Sequence, residues 1–187
     1  LDKEILTLQE IIESFDPTRF NKTNCLFDRK KLLAFNTEHI KMLSEDALLS
    51  RYKDFLKVVD SPAAKADDAV LKKVLKAAHG ARTLAEIDDK SRFLFIDDDK
   101  IEYNQQDVEK VLLKGGEGLA MLGVLKEKLA ALDTISEQAI ETLLRGISEQ
   151  KQVGLGKVAQ PLRVAICGTT ISLPIFESID MLGIDVT

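Results

Sequence analysis

The feature that most limits how this chain can fold is a series of amphipathic segments, in which apolar residues recur every three or four positions. This spacing places apolar residues on one face of an α-helix, which has 3.6 residues per turn. Only four prolines interrupt the 187-residue sequence. The pattern predicts an all-α fold of about nine or ten helices, packed as a helical bundle or cage. The clearest segment is residues 45–59, whose predicted apolar face contains Leu48, Leu49, Tyr52, Phe55, Leu56 and Val59.

Polar residues and glycines mark where the helices begin and end. A Thr followed three residues later by Glu is a capping box, in which each side chain bonds the other residue's backbone N–H. Glycine ends helices because it readily adopts the left-handed backbone conformation. Breaks near Gly80 and at Gly115-Gly116 predict two helical subdomains, residues 1–90 and residues 91–187. Predicted capping boxes include Thr7 with Glu10 and Thr134 with Glu137.

The formal net charge of −5 argues against a protein that grips nucleic acid non-specifically. Such binding depends on Lys and Arg side chains that neutralise phosphates. The charge is unevenly distributed, however. Between residues 145 and 170 the only acidic residue is Glu149, and the basic ones are Arg145, Lys151, Lys157 and Arg163. Local recognition of a nucleic acid therefore stays open, as does a helical scaffold or protein-interaction module with no RNA partner.

Cysteine content and hydropathy argue against several other classes of protein. Cys25 and Cys167 are too few and too far apart for a disulfide framework or a metal site, so we expect two free thiols. No apolar run approaches the ~20 residues of a membrane span, and no signal peptide is visible. These features favour a cytoplasmic protein. Leu1 is not an initiator Met, which favours a piece of a longer protein.

The most distinctive stretch is residues 154–176, with the sequence GLGKVAQPLRVAICGTTISLPIF. It predicts a helix between two glycines, then a polar loop, then a second helix that begins near Pro174. Arg163 and Gln160 on the first helix can form the bidentate hydrogen bonds that distinguish nucleic-acid bases. A hydroxyl group follows in the loop at Ser172. The same pattern is also an ordinary corner between two helices.

Two parts of the sequence resemble the tRNA-binding end of bacterial-type glutamyl-tRNA synthetases. Residues 157–168, KVAQPLRVAICG, are similar to the family's Gly-Lys segment and its helix with a Pro-Leu-Arg motif. The loop and the predicted helix Ile175–Leu182 are similar to the family's Ser-Pro-containing turn and its short helix ending in Leu-Gly. Residues 15–36 resemble the junction after the family's catalytic domain, although Phe35-Asn36 stands where the family commonly has Trp-x-Asn.

The resemblance implies that particular residues bind the tRNA anticodon. Arg163 is the Arg of the Pro-Leu-Arg motif, which in the family reaches anticodon bases. Ser172 corresponds to a hydroxyl residue in the turn, and Ile175 to an apolar residue that contacts a base. Unpaired bases expose edges that Arg, hydroxyl and backbone groups can bond. The alternatives are a surface ion pair for Arg163 and an N-cap for Ser172.

Further basic and polar residues join this set through the same resemblance. Arg145 matches an upstream Arg on the preceding helix, and Gln160 and Lys157 are placed for base or phosphate contact. Residues 1–90 would contact the tRNA stem, and residues 91–187 would bind the anticodon. Phosphate contacts with the stem are expected for three basic residues of the junction, although an ordinary solvated surface is an equal alternative: Lys22, Arg29 and Lys30.

The resemblance also has consequences for activity. The family's catalytic domain carries a His-Ile-Gly-His-type motif and a Lys-Met-Ser-Lys-type loop, and this sequence contains neither. The parent enzyme implied is a glutamate–tRNA ligase that uses ATP and magnesium, bound outside this chain. We expect the chain itself to bind no cofactor, to act as a monomer and to have tRNA(Glu) as its partner. Whether tRNA(Gln) also binds stays open.

Overall fold

The structure is a computed structural model that describes residues 3–19, 24 and 26–183. Helices joined by turns and irregular segments make up these residues, and no β-strand occurs among them. Among the described residues, nine α-helices have seven or more residues, and α6 has three before the chain continues as the π-helix Val108–Leu113. The predicted all-α fold is therefore confirmed. The α-helices are α1 Leu8–Ser14, α2 Arg29–Met42, α3 Glu45–Val58, α4 Asp68–Ala77, α5 Leu84–Ser91, α6 Gln105–Asp107, α7 Glu117–Ala130, α8 Glu137–Gln150, α9 Leu155–Cys167 and α10 Ile175–Leu182.

Two clusters of buried apolar side chains form the interior. The first core is built mainly by α3, α4 and α5, and includes the fully buried Tyr52 and Leu56. The second core is built by α7 to α10 and includes the fully buried Ile140 and Leu144. Complete burial of one such side chain stabilises the fold by about 1.5–3 kcal/mol. Two cores are compatible with two helical subdomains, while the boundary between residues 90 and 91 stays a prediction.

The loop between α9 and α10 connects the two cores. It starts from helices of the second core, yet the side chain of Leu173 is buried in the first core. The Leu173 backbone N–H also donates a hydrogen bond to the Lys90 carbonyl at 3.3 Å. The loop is thereby fixed against the end of α5. We call residues 168–174 the α9–α10 loop.

Glycine is required where this loop begins. Gly168 ends α9 with a φ of +75°, a left-handed conformation that costs other residues free energy. A Cβ atom at this position would lie 2.3 Å from the carbonyl oxygen of Glu102. The absence of a Cβ is therefore what allows the backbone of residue 102 to pass so close. The loop ends where α10 begins, and the predicted helix Ile175–Leu182 is confirmed, with Pro174 at its N-cap position.

The predicted helix caps have different outcomes. At the start of α1 the capping box of Thr7 and Glu10 is present. The capping box predicted for Thr134 is wrong, because α8 begins later. Its N-cap is Ser136, whose hydroxyl accepts a hydrogen bond from the Ala139 N–H at 3.2 Å. Two good capping residues stand close together here, so the capping preference alone does not tell which of them begins the helix.

Candidate nucleic-acid interface

Arg163 anchors the α9–α10 loop to the helix that precedes it. Its Nη1 donates hydrogen bonds to the Ser172 hydroxyl at 2.6 Å and to the Leu173 carbonyl at 2.7 Å. The side chain is half-buried, and this burial lowers the pKa of the guanidinium, which stays charged at neutral pH. The structure therefore brings together two residues predicted to act on the same anticodon. Their contacts with bases stay a prediction.

The hydrogen bonds of Arg163 leave part of its donor capacity free. Its Nε is buried and has no hydrogen-bond partner, and its Nη2 is neither buried nor bonded within the described part of the chain. The predicted alternative of a surface ion pair for Arg163 does not occur among those residues. The N-cap alternative for Ser172 is wrong, because Pro174 takes the N-cap position. The Ser172 hydroxyl instead accepts from Arg163 and donates to the Leu173 carbonyl at 2.9 Å.

The α9–α10 loop separates two clefts. The smaller, of about 250 Å³, lies between the loop and the turn from α4 to α5, and Arg163 lines it together with His79 and Lys90. The larger, of about 780 Å³, lies on the other side of the loop and is reached by Ser172 and by Ile171, which is 66% exposed. A loop that presents polar groups between two clefts is suited to binding unpaired bases.

Asp107 holds the loop in place, and the sequence patterns did not identify it. One carboxylate oxygen, Oδ2, accepts hydrogen bonds from the Thr170 N–H at 2.8 Å, the Thr170 hydroxyl at 3.0 Å and the Thr169 hydroxyl at 3.1 Å. These bonds, led by the one from the Thr170 backbone, hold the pKa of Asp107 below its usual range. We call this group of contacts the Asp107 brace.

The residues just before Asp107 support the same region. The Asn104 N–H donates to the Gly168 carbonyl at 2.8 Å, and the Tyr103 hydroxyl donates to the Ala165 carbonyl at 2.7 Å. Carbonyls in the last turn of a helix lack partners within that helix, so these bonds satisfy the C-terminal end of α9. About 60 residues separate the partners in sequence. The N-cap pattern of Asn104 is the only local signal that could have pointed to this segment.

The other residues predicted to bind the anticodon lie in different surroundings. Ile175 is 5% exposed and packs in the second core, so its position favours a packing role over contact with a base. Arg145 lies on the surface of α8, where its Nε and Nη2 bond the Glu141 carboxylate at 2.8 and 2.7 Å. Gln160 and Lys157 line a groove beside α9, and the Gln160 Oε1 is buried without a hydrogen-bond partner.

The predicted contacts with the tRNA stem fall at the start of α2. Arg29 and Lys30 are exposed in its first turn, directly after Asp28, whose carboxylate caps the helix. Lys22 lies outside the described residues. The roles of all three residues stay predictions.

The structure also bears on two broader expectations. None of the helices that it describes is long and apolar enough to cross a membrane. Within residues 3–19, 24 and 26–183, no three His, Cys, Asp or Glu side chains are grouped so that they could hold a metal ion. Burial raises the pKa of the Cys167 thiol to about 11, so this cysteine is mostly protonated at neutral pH.

Similar proteins agree with the resemblance found in the motifs. The chain is 35% identical over 182 residues to a glutamate–tRNA ligase of Desulfosudis oleivorans, an alignment that covers 97% of the chain and 38% of that protein. It is 34% identical over 183 residues to the glutamate–tRNA ligase of Thermus thermophilus, covering 97% of the chain and 37% of the relative. The chain thus spans less than two fifths of the length of these curated relatives.

The fold has a counterpart of known structure. A crystal structure of a glutamate–tRNA ligase from Elizabethkingia meningosepticum superposes with a TM-score of 0.75 at 23% identity, covering 98% of this chain and 35% of that one. At this identity the likeness establishes the fold alone. The family described as "Anticodon binding domain" matches residues 47–187, which include most of α3, all of α4 to α10 and the α9–α10 loop. The chain therefore belongs to the anticodon binding domain family.

Proposed function

We propose that this chain is the tRNA-binding region of a glutamate–tRNA ligase, and that the α9–α10 loop binds the anticodon. The observation that carries the proposal is the pairing of Arg163 with the loop: Nη1 fixes the guanidinium to Ser172 and Leu173, and Nη2 is left free. A guanidinium held this way loses little conformational freedom when it bonds a base. The family match across residues 47–187 supports the same function.

The activity proposed for the whole enzyme is the attachment of glutamate to tRNA(Glu) with ATP. ATP and magnesium would bind in the catalytic part, and this chain would contribute by holding the tRNA in a fixed orientation. The helical scaffold without an RNA partner is disfavoured, because the family match and the similar ligases both point to tRNA. We further propose that the protein is a cytoplasmic monomer and that tRNA(Glu) is its partner.

The proposal is tested by titrating the chain with the anticodon stem-loop of tRNA(Glu) and with the same stem-loop carrying a scrambled anticodon. The native chain should bind the true anticodon more tightly. Arg163→Ala should lower that affinity by about 1–3 kcal/mol, the usual value of a specific contact between an Arg and a base, and should leave the scrambled stem-loop nearly unaffected.

Two control variants sharpen the result. Arg163→Lys keeps the charge but lacks the planar group that can bond the loop and a base together, so it should behave like Arg163→Ala. Arg51→Ala removes an exposed Arg from α3, outside the α9–α10 loop, and should leave the preference for the true anticodon unchanged. If the Arg163 variants weaken both stem-loops equally, Arg163 is only a phosphate contact. If the native chain does not distinguish the stem-loops, anticodon recognition by this chain is refuted.

A further inference from the structure

A groove of about 820 Å³ lies beside α9, away from the Arg163 cleft, and lysine side chains dominate its charge. We call it the lysine groove. Its walls carry four lysines and one acidic residue, Glu117, although the whole chain has a net charge of −5. The lysines come from separate elements: Lys110 from the π-helix, Lys114 from the turn before α7, Lys151 from the end of α8 and Lys157 from the first turn of α9.

These lysines are available to an anionic ligand. Among the described residues, Lys157 is the one groove lysine in an ion pair, with the Glu117 carboxylate at 3.7 Å, and both of these side chains are more than 70% exposed. Lys110 lies close enough to Asp107 to interact with its charge but forms no ion pair with it. An exposed pair at this distance contributes little and is readily exchanged. The other three lysines are exposed and form no ion pair within the part of the chain that the structure describes.

The groove also offers features that suit a sugar-phosphate strand. Its wall includes Gly154 and Gly156, where a Cβ would meet no atom within 4 Å, so a ligand can approach the backbone closely. The Gln160 Oε1 on the same wall is buried and accepts no hydrogen bond within the described residues. A ribose 2′-hydroxyl can donate a hydrogen bond to such an oxygen. A carboxylate group of an acidic protein partner has no hydrogen to donate.

The groove and the anticodon site share one helix. Lys157 in the groove and Arg163 in the cleft are six residues apart on α9, which corresponds to about 9 Å along the helix axis. Phosphates in one strand of a duplex are spaced about 3.4 Å apart along its axis. The two side chains lie roughly 120° apart around the helix, so a strand whose bases reach Arg163 enters the groove by passing around α9, a path of a few nucleotides.

We propose that the lysine groove binds phosphates of the tRNA strand that continues from the anticodon. This inference rests on the proposed anticodon function and adds a second contact surface to it, with Lys110, Lys114 and Lys151 as its new members. Phosphate contacts position a nucleic acid and do not read its sequence, so the groove should add affinity without selectivity.

The test uses the double variant Lys114→Gln with Lys151→Gln, which removes two of the four lysine charges of the groove and leaves an uncharged polar side chain at each position. It should weaken the true and the scrambled anticodon stem-loops by the same factor, roughly tenfold at moderate salt. The plot of log affinity against log salt should become shallower by about 1.4, because each lost contact with a single strand accounts for about 0.7.

The matched control is Lys126→Gln with Lys128→Gln. These two lysines are exposed on α7 and do not line the groove, and their loss changes the net charge by the same amount. The control should keep the native affinity and salt slope. If the groove variant matches this control, or loses affinity for the true anticodon only, the groove does not bind the tRNA backbone.

The two proposals fail in different ways. If the native chain binds both stem-loops equally, the anticodon function is refuted whatever the groove variant does. If the native chain is selective and the groove variant keeps the native affinity and slope, only the groove inference is refuted.

Discussion

Removal of the Asp107 brace should loosen the α9–α10 loop and weaken anticodon binding together. Oδ2 of Asp107 accepts three hydrogen bonds from Thr169 and Thr170, at 2.8 to 3.1 Å. A hydrogen bond to a charged group contributes about 1.5–3 kcal/mol when it is protected from water. Asp107 is partly exposed and water can replace it, so we expect Asp107→Ala to lower the free energy of unfolding by about 2 kcal/mol in total.

The variant Asp107→Asn separates the contribution of the carboxylate charge from that of the hydrogen-bond acceptor. Because all three bonds go to one oxygen, the amide oxygen of Asp107→Asn can replace it, and only the charge is lost. Charge-assisted hydrogen bonds are about twice as strong as neutral ones, so this variant should lose about half as much, roughly 1 kcal/mol. For a chain of this size the melting temperature should fall by about 2–4 °C for each kcal/mol.

The brace also predicts a dependence on pH. The folded state lowers the pKa of Asp107, so the stabilisation is present above the unfolded value, about 3.9, and is lost as the pH falls through the lower folded value. The difference in unfolding free energy between the native chain and Asp107→Asn should therefore be constant near pH 7 and shrink below about pH 4.

The assays are chemical unfolding and amide hydrogen exchange. Asp107→Ala should speed the exchange of the Thr170 amide, whose N–H bonds Asp107, and should reduce affinity for the true anticodon stem-loop more than for the scrambled one. Native exchange at Thr170 together with native selectivity would show that the loop does not depend on the brace.

Two further predictions concern the same region. Gly168→Ala should lower the free energy of unfolding by at least about 2 kcal/mol, because the left-handed conformation and the 2.3 Å approach to the Glu102 carbonyl both disfavour a Cβ. The control Gly123→Ala on α7 places its Cβ in open space and should raise the free energy of unfolding by about 0.5–1 kcal/mol. Equal melting temperatures for these two variants would contradict the packing described. Cys167, with its pKa raised to about 11, should react with iodoacetamide at pH 8 about 100-fold more slowly in the folded than in the unfolded chain, as followed by peptide mass spectrometry; equal rates would show that the thiol is accessible.

Much of the fold follows from local sequence patterns. The apolar spacing of residues 45–59 predicted α3. The glycine at position 168 and the proline at position 174 predicted a break followed by α10, and the predicted bounds of α10 are the observed ones. Such patterns succeed because helix periodicity and caps depend on residues within one or two turns. The failure at Thr134 has the same origin. Local capping preference does not distinguish Thr134 from Ser136, and the structure has Ser136 as the N-cap of α8.

The candidate site could be predicted only in part. The Pro-Leu-Arg resemblance pointed to Arg163 and Ser172, which the structure joins by a hydrogen bond. Asp107 was missed because its partners are 62 and 63 residues away, and no local pattern encodes such a contact. Ile175 illustrates the opposite limit. Its spacing in the motif suggested a base contact, but spacing does not report burial, and the side chain lies in the second core.

The most direct test of the account is a footprint of the anticodon stem-loop on this chain, measured by amide hydrogen exchange with and without the RNA. We predict slower exchange in the α9–α10 loop, residues 168–174, with the true anticodon, little change there with the scrambled one, and no difference in α3 between the two. Protection confined to other surfaces, or equal protection of the loop by both stem-loops, would contradict the claim that this loop reads the anticodon.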